Sequence, residues 1–300
     1  MSYPKRPFMR YFPLNHAGRD FVAGDLHGEI SLLLAALRHV DFDGTRDRLF
    51  SVGDLVDRGD ASLACLGLLD QPWFHAVLGN HDDLLLDYHC RLGAYDSGPW
   101  HPFCQNGGQW YFEGGSHEVG PFIDRLAALP LMIVVGRGPR RFRLVHAEVC
   151  RGASPTFIPE SEIEASGLPL ETTEWISGFD GTGAFRYRLL WGRALREAAC
   201  NHGAAPSREP GASPIFCGHT ITAPSAVGEI REVAGHWFLD TGASLAHTAP
   251  TMGLTLFEPD RRAGIMVCAD GTVLPLGMER ADVLPPLKPR AKRRLSQQKS

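Results

Sequence analysis

The segment DFVAGDLHG at residues 20–28 contains a short apolar strand, a glycine, and then two side chains that can bind a metal ion, Asp25 and His27. The same order occurs twice more in the first third of the chain, as RLFSVGDLVDRG at 48–59 and as FHAVLGNHD at 74–82. Helical patterns follow these segments at residues 29–40, 61–69 and 82–90. Three strand–loop–helix units predict βαβ connections, and therefore a parallel sheet with helices packed against it.

The remainder of the chain has weaker periodicity and then becomes rich in strands. Residues 91–119 predict an irregular loop segment over one edge of the sheet, and residues 123–129 a short helix. Residues 152–183 are interpreted as a lid or cap, and residues 201–214 as a surface loop. Further strands are predicted at 131–135, 142–145, 215–217, 237–239, 254–257 and 265–268. The spacing on the first helix places Ile30, Leu33, Leu34 and Leu37 on one apolar face.

Composition indicates an ordinary folded protein. The 300 residues are 44% hydrophobic and 21% charged, with a formal net charge of −4, which argues against a disordered chain and against a nucleic-acid binder. The longest apolar run, residues 129–136, is far shorter than the roughly 20 residues of a membrane helix. The basic N-terminus has no apolar run behind it, so we expect no secretory signal. Seven cysteines without a CxxC pair argue against a disulfide framework and favour a reducing cytoplasm.

Five short motifs place polar residues directly after predicted apolar strands. They are GDLHG at 24–28, GDLVDRG at 53–59, GNHD at 79–82, VHA at 145–147 and GHT at 218–220. The carboxyl ends of strands are where open α/β sheets build their sites. A single strand-end Asp is more often a helix cap, but five such motifs in one chain indicate one shared site.

The side chains of these motifs form a coherent set of metal ligands. Three nitrogen and three oxygen donors are available, from Asp25, His27, Asp54, Asn80, His146 and His219. This number exceeds the need of one tetrahedral zinc and suits two ions of higher coordination that share a carboxylate. Two ions roughly 3.5–4 Å apart can clamp phosphoryl oxygens and acidify a bridging water. His81 and Asp57 remain for acid–base work, and Arg58 and Arg193 for binding phosphate.

These motifs resemble the GDxHG, GDxVDRG, GNHE/D, HA and GHT set of the phosphoprotein-phosphatase superfamily, which has the calcineurin-like metallophosphoesterase fold. The resemblance is greatest to the phage lambda-type and bacterial serine/threonine protein phosphatases, and it covers residues 21–258. Shorter matches support it: PWF at 72–74, NGG at 106–108, LPL at 129–131, Trp-x-Arg at 191–193 and DTGA at 240–243. The resemblance implies an α/β fold with a central two-sheet β-sandwich flanked by helices.

The roles of the family's residues follow from the resemblance one position at a time. Asp25 and His27 would bind the first metal, Asp54 would bridge both, and the second would be bound by Asn80, His146 and His219. His81, oriented by Asp57, would protonate the leaving alkoxide, and Arg58, Arg193 and Asn80 would contact the phosphate. A metal-bridging hydroxide would attack phosphorus in line, without a phosphoenzyme. The resemblance favours Mn²⁺ as the two divalent ions, with Fe, Zn or Ni as alternatives.

One position departs from the family pattern, and two other functions compete. Asp82 stands where many members have Glu, and we expect the chemistry to survive this change. Symmetrical diadenosine tetraphosphate hydrolases share the metal motifs and often carry GNHD, but usually lack the acid present here as Asp57. A catalytically silent homologue that only binds phosphoproteins is the other alternative, although every expected ligand and His81 are present.

The charge pattern predicts the organisation of the chain, and the resemblance implies its substrates. We expect one metallophosphoesterase domain at residues 1–284 and a basic, disordered tail at 285–300, which has six Lys and Arg residues and no acid. The expected substrates are phosphoproteins or phosphopeptides in the cytoplasm, with no membrane and no nucleic-acid partner. The tail is a candidate to bind an acidic partner.

Overall fold

Two six-stranded sheets form the centre of the protein. The computed structural model describes residues 8–91, 102–151, 156–157, 185–195, 211–222 and 230–277. In spatial order, the first sheet contains β1 (Met9–Phe12), β5 (Met132–Val135), β6 (Phe142–Val145), β9 (Ile215–Cys217), β11 (His236–Phe238) and β10 (Arg231–Val233). The second contains β14 (Val273–Gly277), β13 (Ala263–Cys268), β12 (Gly253–Glu258), β2 (Asp20–Ala23), β3 (Arg48–Ser51) and β4 (Phe74–Ala76). A small pair, β7 (Cys150–Arg151) and β8 (Thr156–Phe157), lies apart from both.

Aromatic side chains hold the two sheets face to face. Phe50 of the second sheet contacts Phe142 of the first, with ring centroids 6.2 Å apart. Phe142 then contacts Phe216 at 5.8 Å, and Phe216 contacts Phe257 of the second sheet at 5.6 Å. Each such pair adds about 0.5–1.5 kcal/mol to the free energy gained by burial. These rings belong to one buried apolar cluster together with Trp237, and the two-sheet sandwich implied by the resemblance is confirmed.

The strands that precede the polar motifs are parallel and end level with each other. Ala23 lies opposite Ser51, and Ser51 lies opposite Ala76, so β2, β3 and β4 stop at the same height. In the other sheet β6, β9 and β11 are likewise parallel neighbours. The backbone N–H of His219, after β9, donates to the carboxylate of Asp25, after β2, at 2.9 Å. The loops of both sheets therefore meet at one edge of the sandwich.

Helices cover the outer faces of the sheets. They are α1 (Ile30–His39), α2 (Ser62–Gly67), α3 (Asn80–Arg91), α4 (Pro102–Gln105), α5 (Gly115–Glu118), α6 (Gly120–Ala127) and α7 (Phe185–Trp191). The predicted helices of the first third are thus confirmed, but one residue of the predicted apolar face of α1 lies at the surface. Leu34 is 44% exposed, whereas Leu32 lies inside with Leu33, Ala36 and Leu37. The buried face of α1 is therefore rotated by part of a turn from the predicted apolar face, because the helix packs through positions 32, 33, 36 and 37.

Two other expectations need correction. Helix α3 begins at Asn80 rather than at residue 82, so Asn80 and His81 lie in its first turn and not in a loop. Residues 91–119 were expected to be irregular, but Arg91 ends α3 and residues 102–119 form short helical turns. Weak periodicity hid these turns because each is only four residues long.

Several strands were not expected from the sequence. The edge strands β1, β10 and β14 lack long apolar runs, and their burial patterns contain exposed positions. The predicted lid or cap at 152–183 lies almost wholly outside the described residues, as do most of the loop at 201–214 and the tail at 285–300. The division of the chain into a domain at 1–284 and a tail stays a prediction.

The cysteines and the helices bear on whether the protein forms disulfide bonds and has segments that could cross a membrane. Within the described residues, Cys65, Cys104, Cys217 and Cys268 are buried and Cys90 is exposed, and none of the five forms a disulfide. Among the helices that the structure describes, none combines the length and the apolar character needed to cross a bilayer.

Candidate metal centre

The loops that carry the candidate ligands adopt a strained backbone conformation. Among the described residues, eight other than glycine have a positive φ, and five of them belong to the predicted site. They are His27 (44°), Asp54 (50°), Asp57 (73°), Arg58 (73°) and His219 (63°). A side chain with Cβ disfavours this region by roughly 1–2 kcal/mol per residue. Such strain persists only where the surrounding structure enforces it, and it clusters at functional sites.

Asp54 lies at the centre of the candidate site. Its Oδ2 is 3.5 Å from Nε2 of His27, and its Oδ1 is 3.3 Å from Nε2 of His146. Two groups of ligand atoms are compact enough to hold a cation, and Asp54 belongs to both. It is joined by His27 and His81 in the first group, and by His146 and His219 in the second. A carboxylate placed between two ligand groups is the arrangement that a shared ligand requires.

Backbone carbonyls fix two of the histidines in one tautomer. Nδ1 of His27 lies 3.0 Å from the carbonyl oxygen of Val56, and Nδ1 of His146 lies 2.8 Å from that of Val52. Since a carbonyl can only accept, each Nδ1 must donate its proton. The other nitrogen of each ring, Nε2, then lies near Asp54. This support by a carbonyl is typical of histidines that bind metal ions.

Atoms that carry lone pairs converge around Asn80. Its Oδ1 lies 2.8 Å from Nε2 of His146 and 2.8 Å from Nδ1 of His219. Nε2 of His146 also faces Oδ1 of Asp54, while Nδ1 of the same ring donates to Val52. Two oxygens and one ring nitrogen thus point at each other, and such a group needs a proton or a cation between its members.

Two further buried atoms show that this site fits a cation. Oδ1 of Asp25 and Nε2 of His219 are buried, and neither has a hydrogen-bond partner among the described residues. Asp25 lies outside both compact ligand groups, but a Cβ at Gly218 would come within 1.8 Å of its Oδ1. Only glycine at position 218 leaves this carboxylate in place. Oxygen and nitrogen donors without a thiolate suit a divalent ion such as Mn²⁺.

Buried carboxylates also make the site unfavourable without positive charge. Burial, with Asp240 and Asp54 nearby, raises the pKa of Asp25 well above its usual value. Burial and the charge of Asp54 raise the pKa of Asp82 to about 7. Burial, with Asp54 as a neighbour, raises the pKa of Asp240 to about 6. Burial opposes ionisation of Asp54 too, but the neighbouring histidines, His146 foremost, hold its pKa well below the usual value.

The proposed acid and its orienting carboxylate form a hydrogen-bonded chain. Nδ1 of His81 donates to Oδ2 of Asp57 at 2.8 Å, and Nε1 of Trp110 donates to Oδ1 of Asp57 at 2.8 Å. Burial raises the pKa of Asp57, although its hydrogen bonds to His81 and Trp110 oppose the rise. The guanidinium of Arg58 donates to Nε2 of His27 at 2.8 Å and to Nε2 of His81 at 2.9 Å. An exposed cation therefore borders both the ligand group and the acid.

Arg193 contacts the site through the loop that carries His219. Its Nη1 donates to Oγ1 of Thr220 at 3.2 Å, next to His219. The carboxylate of Glu148, two residues after His146, accepts from the backbone N–H groups of Ala194 at 3.1 Å and Leu195 at 2.9 Å. Glu148 thereby ties the segment that carries Arg193 to the loop after β6, which carries His146.

All ten predicted site residues therefore lie in one connected network, but the sequence missed three supporting residues. Asp240 follows the predicted strand at 237–239, so the pattern of a polar residue after a strand could have found it. Trp110 and Glu148 carry no comparable signal, since each acts through a contact with a distant part of the chain. Asp82 accepts from Gly79 N–H at 2.9 Å and from Leu55 N–H at 3.0 Å, so it supports two ligand loops at once.

Comparison with known proteins gives relatives of two activities. The chain is 36% identical over 147 residues to serine/threonine-protein phosphatase 2 of Escherichia coli, which is 47% of this chain and 65% of that protein. It is 48% identical over 64 residues to the symmetrical bis(5'-nucleosyl)-tetraphosphatase of Pasteurella multocida, 21% of this chain and 23% of that protein. The chain thus spans less than two thirds of the length of these curated relatives.

Solved structures share the fold of this chain. A protein serine/threonine phosphatase from Saccharomyces cerevisiae superimposes with a TM-score of 0.53 at 15% identity, over 92% of this chain and 85% of that one. This likeness concerns the fold alone. The model of the calcineurin-like phosphoesterase family matches residues 21–222, which include all five motifs. With its sandwich, its strand-end ligands and this match, the chain belongs to the calcineurin-like phosphoesterase family.

Proposed function

We propose that this phosphoesterase is a metal-dependent protein serine/threonine phosphatase, which hydrolyses phosphomonoesters without a phosphoenzyme. One observation carries the proposal. His81 is a buried member of the first group around Asp54, and Asp57 holds its Nδ1 at 2.8 Å, which leaves its Nε2 for proton transfer. A serine alkoxide is a very poor leaving group, so its ester needs a positioned acid, and general acid catalysis is typically worth about 10²–10⁴-fold.

The proposed metal ligands are those that the resemblance implies. Asp25, His27 and Asp54 would hold one divalent ion, and Asp54, Asn80, His146 and His219 the other. Bound ions, for which Mn²⁺ is our first choice, would supply Lewis acidity toward the phosphoryl oxygens and lower the pKa of bound water. Because Asp54 lies in both ligand groups, it is our candidate for the shared ligand.

The chain's own residues would divide the remaining work. The guanidinium groups of Arg58 and Arg193 are exposed on two sides of the ligand cluster, and each can bind a phosphoryl group through two parallel hydrogen bonds. Asn80, in the first turn of α3, would add a further contact to phosphate. His81, held through Nδ1 by Asp57, would give a proton from Nε2 to the leaving oxygen once the guanidinium of Arg58, now 2.9 Å from that Nε2, binds the phosphate instead.

Two observations support a phosphoprotein substrate over a dinucleotide. The relative named as a protein phosphatase aligns over 147 residues, whereas the one named as a dinucleotide hydrolase aligns over 64. Asp57, the acid expected to be missing from the dinucleotide enzymes, is present and bonded to His81. The intact network also argues against a silent phosphoprotein-binding homologue. Location in the cytoplasm and an acidic partner for the tail stay predictions.

A side-by-side assay tests the substrate class. The full chain with Mn²⁺ is given p-nitrophenyl phosphate, phosphoserine and phosphothreonine peptides, a phosphotyrosine peptide and diadenosine tetraphosphate. We expect the highest kcat/KM among the biological substrates for the phosphoserine and phosphothreonine peptides. A higher value for diadenosine tetraphosphate would overturn the proposal in favour of the dinucleotide enzyme, and binding of phosphopeptides without turnover would favour the silent homologue.

Removal of metal ions tests the metal requirement. Since every proposed ligand atom is oxygen or nitrogen, we expect EDTA to abolish hydrolysis of p-nitrophenyl phosphate and Mn²⁺ to restore it. Metal content is measured by elemental analysis before and after chelation, together with the unfolding temperature. Full activity in a preparation shown to be free of metal would refute a metal-dependent mechanism.

A further inference from the structure

Every polar atom of the Asp57 side chain has a defined partner. Oδ2 accepts from Nδ1 of His81 and Oδ1 accepts from Nε1 of Trp110, both at 2.8 Å. The backbone N–H of Asp57 donates to Oγ of Ser62 at 3.0 Å. Asp57 has no solvent exposure, so no bulk water competes for these bonds. The orientation of the carboxylate is therefore set by two side chains, one of which is the proposed acid.

Trp110 is itself held firmly in place. Gly115 lies against its ring, and a Cβ there would come within 2.6 Å of the indole carbons. The segment that carries Trp110 also touches the neighbour of Asp57, because the N–H of Arg58 donates to the carbonyl oxygen of Gly107 at 3.3 Å. Gly107 has φ of +106°, and a Cβ there would lie 2.9 Å from the backbone nitrogen of Arg58. Residues 107–110 thus contact both Asp57 and Arg58.

We propose that Trp110 is a positioning residue of the catalytic acid, which acts by locking the carboxylate plane of Asp57 and thereby the ring of His81. This inference rests on the proposed phosphatase function. The terminal torsion of an Asp side chain has a broad energy minimum, so one hydrogen bond to His81 leaves the carboxylate free to rotate. A second, charge-assisted bond to the other oxygen removes that freedom. His81 then has one orientation from which Nε2 can reach the leaving oxygen.

A matched pair of variants separates positioning from packing. Trp110→Phe keeps an aromatic ring but removes the only N–H of the side chain. Tyr111→Phe is the control, because it removes the hydrogen bond between the Tyr111 hydroxyl and Nδ1 of His89, 2.9 Å long, from the adjacent residue of the same aromatic group. Neither Tyr111 nor His89 contacts the proposed acid or its carboxylate among the described residues.

The expected results differ between substrates. General acid catalysis is worth about 10²–10⁴-fold in rate. We expect Trp110→Phe to remove part of this contribution, so that kcat on a phosphoserine peptide falls about tenfold while KM is nearly unchanged. The loss on p-nitrophenyl phosphate should be smaller, because p-nitrophenolate leaves without needing a proton. Tyr111→Phe should match the wild type on both substrates. Equal rates for Trp110→Phe and wild type, or equal losses on both substrates, would overturn the positioning role.

A spectroscopic measurement keeps the inference testable if Trp110→Phe folds poorly. The indole N–H resonance of Trp110, assigned in the full-length protein, should be shifted downfield and exchange slowly with solvent. Asp57→Asn should move it upfield and speed its exchange, while Tyr111→Phe should leave it in place. An indole resonance that ignores Asp57→Asn would contradict the contact on which the inference rests. If the wild type fails to hydrolyse any phosphopeptide, the proposed function fails, and with it the catalytic role of Trp110, whereas the resonance would still report the contact alone.

Discussion

Replacing His81 with Asn should reduce kcat on a phosphoserine peptide by about 10²–10⁴-fold, the usual contribution of a general acid. The loss on p-nitrophenyl phosphate should be far smaller, because its leaving group is a stable anion. Asn keeps a polar side chain but cannot donate a proton from this position. The measurement is steady-state kinetics on both substrates, with metal content determined on the same samples.

Controls for this variant come from the same chain. His117→Asn makes the same exchange at an exposed position of α5 and should leave both substrates unaffected. Asp57→Asn should show the His81 pattern more mildly, since the imidazole would lose its orientation rather than its proton. Arg58→Ala and Arg193→Ala should weaken both substrates alike, because both substrates present the same phosphoryl group. If His81→Asn impairs both substrates equally with metals retained, His81 acts on the nucleophile or the phosphoryl group instead.

Replacing Asp54 with Asn should have the largest effect on metal binding. Asp54 lies in both ligand groups, so the exchange removes charge from both at once. We expect the purified variant to hold less metal than Asp25→Asn and to lose about 10²–10⁴-fold in kcat on every substrate, about 3–5 kcal/mol of transition-state stabilisation. Elemental analysis of the two variants, purified in parallel, gives the comparison.

The control for this pair is a carboxylate of no proposed role. Asp124 is exposed on α6, and Asp124→Asn should keep the metal content and activity of the wild type. Equal metal occupancy in Asp54→Asn and Asp25→Asn would contradict the assignment of Asp54 as the shared ligand. It would leave the other ligands in place but require a different bridging group.

The sequence was a good guide to the site wherever a ligand directly follows a buried strand. Asp25, Asp54, His146 and His219 all do so. Because the parallel strands end at the same height, their side chains come together, and no knowledge of distant contacts is needed to predict this. Asp240 follows the same rule and was missed only because its motif was treated as a family marker.

Contacts between distant segments could not be predicted in this way. The partner of Trp110 is 53 residues away in the chain, and its own segment has no periodicity from which to place it. The rotated buried face of α1 has a similar cause, because an amphipathic pattern gives the width of a buried face but not the direction from which the sheet approaches. Edge strands such as β1 are hard to recognise because only part of each is buried.

The residues with a left-handed backbone around the candidate metal site limit how heat-resistant this protein can become. At roughly 1–2 kcal/mol each, His27, Asp54, Asp57, Arg58 and His219 together cost the native state an amount comparable to the 5–15 kcal/mol by which typical domains are stable. Glycine at any of these positions would relax the chain and delete the side chain. Directed evolution for thermal tolerance alone would therefore drift toward inactive variants at these positions, and a useful selection must also demand turnover.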